Sequence, residues 1–507
     1  MNRRTVNIVN FVRGCEPRKE MDLITPVKNE IALDHQYKLP HTFLLQYDAM
    51  LREDFRRLFL EEGKREDCEL GVWIETCRQL IEGLGMEWRG RPGYDWDWYV
   101  NPGFLEAYTP TQREAIIDEI FRYFREIFGD YPRVVGSWLL DAHSMRYMSE
   151  KYDIDAFCIC REQFAVDAYT LWGGYYSGGY YPSKNNMLSP AQTKENQIHT
   201  PVFRMLGIDP IHGYDEKYKP LPFRGCATLE PGWSYGQTPT VVDWYLDTYF
   251  NSPCLSHTEL TTGQENSFGW KLIGPGYPLQ AERLAALRDA GGITIEPLGA
   301  TGRSYKQAFD LTPAAALVAE RDWTEHGMSS YWYNCKHWRA NLLREGDALF
   351  FRDIQKFDDR YCERYLNEIC AENDALYDNL PLVNFRLWGR EGTTSALRIR
   401  GKVAATRATE ENTTTLRIDV TMTDGTSASL FLSEEGISAV GCTLEYSFGC
   451  PHDGTTLTRE GNHFHYQHNG FAYTATLEGQ VEECPDGTLL LSPDEQGRLF
   501  LSLNERN

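Results

Sequence analysis

The sequence predicts an α/β protein. Residues 1–325 read as a parallel sheet, closed into a barrel or left open, and a β-sandwich-like domain follows. Three observations lead there. Short apolar runs alternate with helix-period segments through the first half, the pattern of repeated strand–helix units. Acidic residues recur where successive runs end, at Asp48, Glu75 and Asp141. Beyond residue 390 the chain turns to threonine-rich alternation broken by Asp-Gly pairs, which signals hairpins.

Taken in order, a first strand covers about Thr5 to Val12, with a helix near Pro26 to Tyr37. Thr42 to Tyr47 forms a second strand ending at Asp48, with a helix through Phe55, Leu58 and Leu60. Glu69 to Ile74 ends at Glu75 and leads into a helix reaching Leu84. Thr111 to Phe128 is the clearest helix, with Ile116, Ile117, Ile120, Phe121, Phe124 and Phe128 on one stripe. Val134 to Leu140 follows as a strand buried on both faces and ends at Asp141. Ile154 to Cys160 leads into Arg161-Glu-Gln163, and Val202 to Ile208 into Asp209-Pro210. Later elements are a strand over Cys254 to Leu260, a helix over Gln280 to Ala290 and a last strand at Ile293 to Glu296. Residues 326–390 link the parts, with a helix expected over Phe357 to Asp374. Residues 391–507 form the β-rich end, with turns at Asp424-Gly425, Asp453-Gly454 and Asp486-Gly487.

The carboxyl ends of parallel strands are where such folds carry chemistry. Three acids converging there repel one another, so a shared purpose outweighs a solvated rim. Spacing alone also lets Asp141 cap the helix after it. Gln264-Glu265-Asn266, set among glycines, is a compact hydrogen-bonding group. Two insertions are rich in aromatic residues and have no regular period: residues 86–110, with Trp96 and Trp98, and residues 169–181, with Trp172 and Tyr176. Such loops suit a sugar, whose C–H faces stack on rings, or a satellite cluster that holds the loop.

A net charge of −22 excludes nucleic acid and anionic membrane surfaces as expected partners. Thirteen scattered cysteines form no disulfide framework, and no run reaches membrane-spanning length. With reduced thiols and no signal peptide read at the start, the expected location is the cytoplasm. His463 and His465 share a strand face without a matching carboxylate or cysteine, so they predict an exposed strand and not a metal site.

Trp138-Leu-Leu-Asp141 with His143-Ser144 resembles the strand-four motif of class II α-mannosidases and is similar to the Trp-Leu-Pro-Glu of family-57 glycoside hydrolases. The segments HTFLLQYDAM at 41–50, ELGVWIE at 69–75, FRMLGIDP at 203–210 and GQENSFGW at 263–270 resemble a family labelled glycoside hydrolase/deacetylase, over most of residues 1–380. The resemblance implies a distorted or incomplete seven-stranded barrel, a carbohydrate substrate and Asp141 as nucleophile. Glycoside hydrolysis needs a second carboxyl group. Glu265 is the first choice for the acid, Asp48 the second and Asp209 the third. Glu75, Arg161, Gln163 and Asp167 would bind hydroxyls, with Trp96, Trp98, Trp172 and Tyr176 as stacking platforms.

No cofactor is expected. Deacetylases of this superfamily hold a divalent metal with a His-x-x-x-His pair, which is missing here, and Arg13-Gly-Cys-Glu16 stands where mannosidases have His-x-Asp. The alternatives are a metal-dependent deacetylase using His143 beside Asp141, and a non-catalytic carbohydrate-binding barrel.

Overall fold

The computed structural model describes residues 4–166, 168–213, 228–384, 396–448 and 455–504. Asp167 and the Asp453-Gly454 turn lie outside the described residues. Apolar runs become the strands of a sheet with parallel neighbours: β1 (Arg4–Val12), β2 (His41–Leu45), β3 (Cys68–Trp73), β4 (Val134–Gly136) and β5 (Ala156–Cys160), paired in that order. β2 and β5 are buried at every position, as strands covered on both faces are.

A short excursion, β6 (Gln163–Val166) and β7 (Tyr169–Leu171), precedes β8 (Gly179–Tyr180) and β9 (Val202–Met205). β9 runs parallel to β5, and β8 lies antiparallel on its other edge. β10 (Thr258–Thr262) returns to the first strand and pairs with β1 in parallel, as does the two-residue β11 (Thr294–Ile295). The nine-stranded sheet curls like a barrel, but among the described residues no ladder joins β9 to β10. A seam is left there, because β8 already pairs with β9 at Val202 and Phe203.

β4 is shorter than its apolar run. Ser137 leaves the regular ladder, and its Oγ donates to the Ile74 carbonyl at 2.6 Å. Trp138 turns inward to meet Phe11 and Trp73 edge-on, which plugs the barrel interior with rings. The helix before it, Pro110–Phe128, starts where the sequence dictates. Thr109 and Gln112 form a reciprocal capping box, with proline at the first helical position.

From β12 (Ala315–Ala319) onward the described ladders are antiparallel, except that Ala375–Tyr377 pairs in parallel with β7. β13 (Met328–Asn334), β14 (Trp338–Glu345) and β15 (Ala348–Lys356) follow as a meander, part of a second nine-stranded sheet. An eight-stranded sheet, Val403–Glu410 to Leu499–Ser502, shares one apolar core with it, in which Leu342 and Ile354 cluster with Ile418 and Leu430. The Asp424-Gly425 and Asp486-Gly487 turns fall between paired strands as expected. In the strand His463–His468, His463 is exposed and His465 half-buried, while His468 points inward toward Asp378 at 3.4 Å. No helix among the described residues is long and apolar enough to cross a membrane.

Two expectations are corrected. Residues 357–374 form no helix but an irregular strap across the barrel. Their backbone groups are committed elsewhere: the Asp359 N–H donates to Gln192, the Glu363 N–H to Asn185 O and the Cys370 N–H to Glu106 O. Arg113 donates to the Tyr365 and Glu368 carbonyls, taking acceptors that a helix would need for itself.

The second correction concerns Trp172 and Tyr176, which do not roof the mouth. Tyr176 stacks flat on Trp332 of β13, with ring centroids 3.6 Å apart and planes 2° from parallel. The Tyr176 N–H donates to Asn334 at 2.7 Å. Both rings belong to the core that joins the parallel sheet to the antiparallel one. A sugar platform needs an open face, and these faces are covered. Tyr176→Ala should therefore destabilise the protein by about 3–5 kcal/mol in chemical denaturation, the cost of emptying a buried aromatic site, and leave carbohydrate affinity of the folded protein unchanged.

Candidate active site

The mouth of the barrel is organised by the residue that follows β1. Arg13 is buried, and its guanidinium lies 3.8 Å from the Trp96 ring. Its Nη2 reaches Glu75 at 3.0 Å and Glu265 at 3.4 Å. Glu75 follows β3 and also accepts from Trp73 Nε1 at 3.0 Å and from Trp96 Nε1. Glu265 follows β10 and accepts from the Ser267 hydroxyl. Three strand ends thus deliver one cation between two carboxylates.

The Gln264-Glu265-Asn266 group fixes this arrangement. Asn266 accepts from the Arg13 N–H at 2.9 Å and donates to the Arg13 carbonyl at 3.0 Å. The Gln264 N–H donates to Asn10 at 2.9 Å. Gly263, at φ +123°, lets the two strand ends close up, since a Cβ there would run into the Val9 carbonyl. Gln264 Nε2 donates to Glu230 at 3.2 Å, and Thr228 donates to the other Glu230 oxygen at 2.8 Å.

Glu230 and Glu265 line one narrow cleft at the β9–β10 seam, with Val9, Phe11, Leu206 and Thr261 among its walls. The space open between those walls is about 20 Å³, room for about one ordered water and far below the ~300–1,000 Å³ of small-molecule sites. Leu206 holds φ +63°, a left-handed conformation that costs a branched residue ~1–2 kcal/mol and that marks functional loops.

Burial dominates the acidities. Desolvation pushes the Glu230 carboxyl up to about 7, helped by the charge of Glu265 and opposed by the Thr228 and Gln264 hydrogen bonds. Desolvation also pushes Glu75 up to about 7, against the pull of Arg13 and the Trp73 indole. Carboxyls poised near neutrality beside a charged partner are the pattern of acid–base pairs.

Asp141 lies elsewhere and is fully buried. Its carboxylate accepts from the Ser144 N–H at 2.9 Å and the Ser144 hydroxyl at 2.6 Å, capping the helix Ala142–Tyr152. Arg113 pairs with it at 2.9 Å. Burial, and after it the nearby Asp141 carboxylate, pushes the pKa values of Glu106 and Glu363 up. Glu363 accepts from the Ala142 and Met187 N–H groups at 2.7 Å each, so the strap 357–374 seals this cluster. Asp141 has carboxyl neighbours but does not line the cleft.

The remaining sequence candidates divide in the same way. Asp48 accepts from the Gly14 and Cys15 N–H groups at 2.9 Å and so shapes the turn that presents Arg13. Asp209 ties down Ile211, His212, Tyr235 and Trp323 by hydrogen bonds. Arg161 is buried inside the barrel and donates to Tyr249 at 2.9 Å and to the Arg204 carbonyl. Gln163 is buried beside Cys160. Trp98 is half-buried at the rim, between Arg91 at 3.7 Å and Arg18 at 5.2 Å. Glu230 and the bridging role of Arg13 went unread. Glu230 follows no strand pattern, and Arg13 registered only as a departure from His-x-Asp.

Residues 98–270 match a family described as a domain of unknown function with a solved structure, DUF3863. No curated protein matches the chain. The crystal structure of a Parabacteroides distasonis protein, provisionally assigned as a glycoside hydrolase/deacetylase, superposes with a TM-score of 0.51 at 17% identity, covering 73% of this chain and 87% of that one. This likeness shows a shared fold. A polysaccharide deacetylase assigned from Mycobacterium smegmatis gives 0.37 at 9% identity, over 60% of this chain and 92% of its own. A GH57 branching enzyme from Thermococcus kodakaraensis gives 0.29 at 10% identity, over 60% and 71%.

Two outcomes are expected. Folding favours protonated Glu75, so its contribution is complete below its ordinary value of 4.5 and is lost as pH rises through about 7. Between about pH 5 and pH 8 the wild-type melting temperature should fall more steeply than that of Glu75→Gln. Asp141→Asn should cost about 1–3 kcal/mol, because Arg113 loses a charged acceptor but keeps its carbonyls. Turnover per folded molecule, measured on the same preparation, should stay within about tenfold of wild type.

Proposed function

We propose that the protein is a glycoside hydrolase working at the β9–β10 seam, with Glu230 as proton donor and Glu265 as its ionised partner. One observation carries this reading: both carboxyls line a single cleft at the carboxyl ends of parallel strands. Glycosidic cleavage needs one acid to protonate the leaving oxygen and one carboxylate to act on the sugar carbon or on water. A carboxyl near 7 holds its proton at neutral pH well enough to donate it. Arg13, 3.4 Å away, holds Glu265 in position.

The deacetylase alternative asks the mouth to hold a metal. Its residues do not fit one. Arg13 already fills the space between Glu75 and Glu265 with a positive charge, and the cleft walls offer carboxylates, an amide and threonines without a histidine.

The test is a screen of aryl glycosides and acetylated sugars, with and without chelator, at a temperature where the melting transition is unaffected. Glycoside cleavage that persists in chelator is expected. Glu230→Gln and Glu265→Gln should each lower turnover by ~10²–10⁴-fold while the protein stays folded. Wild-type turnover should fall as pH rises through about 7, and Glu230→Gln should lose that limb. Deacetylation abolished by chelator, or full activity in both variants, would overturn the proposal.

A further inference from the structure

At the opposite end of the sheet, where β2 and β3 begin, four elements bring soft and borderline ligands together. His41 opens β2, Cys68 opens β3, Glu62 ends the helix Glu53–Glu62, and His35 lies in the last turn of the helix Ile24–Tyr37. One donor atom each from His41, Glu62 and Cys68 lies within 4.8 Å of the others. His35 Nε2 lies 2.8 Å from Glu62 Oε1.

The orientation of His41 is the independent observation. The ring is fully buried, and its Nδ1 is engaged by the Leu39 carbonyl at 3.2 Å and by Asp34 at 3.3 Å. Tyr277 holds Asp34 in place from behind, donating at 3.1 Å. A carboxylate on one ring nitrogen is the support that metal-binding imidazoles use to aim the other nitrogen. That other nitrogen, Nε2, is buried and points at Glu62 Oε1, 3.3 Å away, an ion pair that a bound cation would replace. Arg65 approaches Glu62 at 3.5 Å from the outer side, but its guanidinium is engaged by Asp67 through two bonds of 2.9 Å.

We propose that His41, Cys68 and Glu62, with His35 as fourth donor, bind one zinc-class divalent cation. A thiolate and imidazoles select zinc over the hard cations, and four protein donors make a closed, structural site. The ligands come from two helices and two strands at the face away from Glu230 and Glu265, so the ion would clasp the first β–α units. The inference stands apart from the proposed activity.

The full-length protein, stripped with chelator and dialysed, is titrated with Co²⁺ and then Zn²⁺. The expected result is one equivalent of Co²⁺ with a thiolate-to-metal charge-transfer band, displaced by Zn²⁺. Zn²⁺ in about hundredfold excess over its Kd should raise the melting temperature by on the order of 5 °C, and Mg²⁺ should not. Cys68→Ser should abolish the band while melting like the stripped wild type. His35→Ala should keep the band and weaken Co²⁺ binding by about tenfold or more. Absence of the band, its survival in Cys68→Ser, or a melting temperature indifferent to Zn²⁺ would each overturn the proposal.

Discussion

The mouth of this barrel depends on one buried cation shared by two carboxylates. Glu75 and Glu265 come from strand ends far apart in sequence, and both are almost wholly removed from water. Two such groups repel, and each alone would pay heavily for burial. Arg13 resolves both problems, because its planar fork reaches the two acids while its face lies on Trp96. Asn266 then fixes the Arg13 backbone, and Asp48 the Gly14 and Cys15 N–H groups that follow it. Glu265, and Glu230 through Gln264, are held in place by this core.

Carboxylates are plentiful in the parallel half, and position decides which of them are available. Asp141, Glu106 and Glu363 form a second cluster around Arg113, beneath the strap 357–374. Its groups satisfy backbone N–H donors and helix ends, which is structural work. Glu230 and Glu265, also buried, line the narrow cleft at the seam where, among the described residues, no ladder joins β9 to β10.

Much of this was legible in the sequence. The strand ends at Asp48 and Glu75 fell where the apolar runs stopped, because a buried strand must be apolar on both faces. Gln264-Glu265-Asn266 stood out as a polar group between glycines, and it does anchor the mouth. Periodicity does not say where a backbone finds its hydrogen bonds, so residues 357–374 read as a helix and are a strap. Nor does composition tell an aromatic platform from an aromatic joint. Tyr176 and Trp98 belong to similar loops, yet one is stacked under Trp332 and the other stands at the rim. The Trp138-Leu-Leu-Asp141 likeness placed Asp141 at a strand end, whereas β4 stops at Gly136 and Asp141 caps the next helix, with Ser144 and Arg113 occupying its carboxylate.

The antiparallel half bears on the mouth by constraining the loops around it. Trp332 holds Tyr176, and Arg339 reaches back to Glu162 just beyond β5. Arg352 donates to the Pro210 and Ile211 carbonyls beyond β9 at 3.2 and 2.7 Å. These contacts seat the loops after β5 and β9 from outside, while Arg13 seats the ends of β1, β3 and β10 from within. The seam between β9 and β10 lies where the two sets of constraints meet. Each wall is held by a different half of the chain, so the width of the cleft is set by how those halves pack through Tyr176 and Trp332.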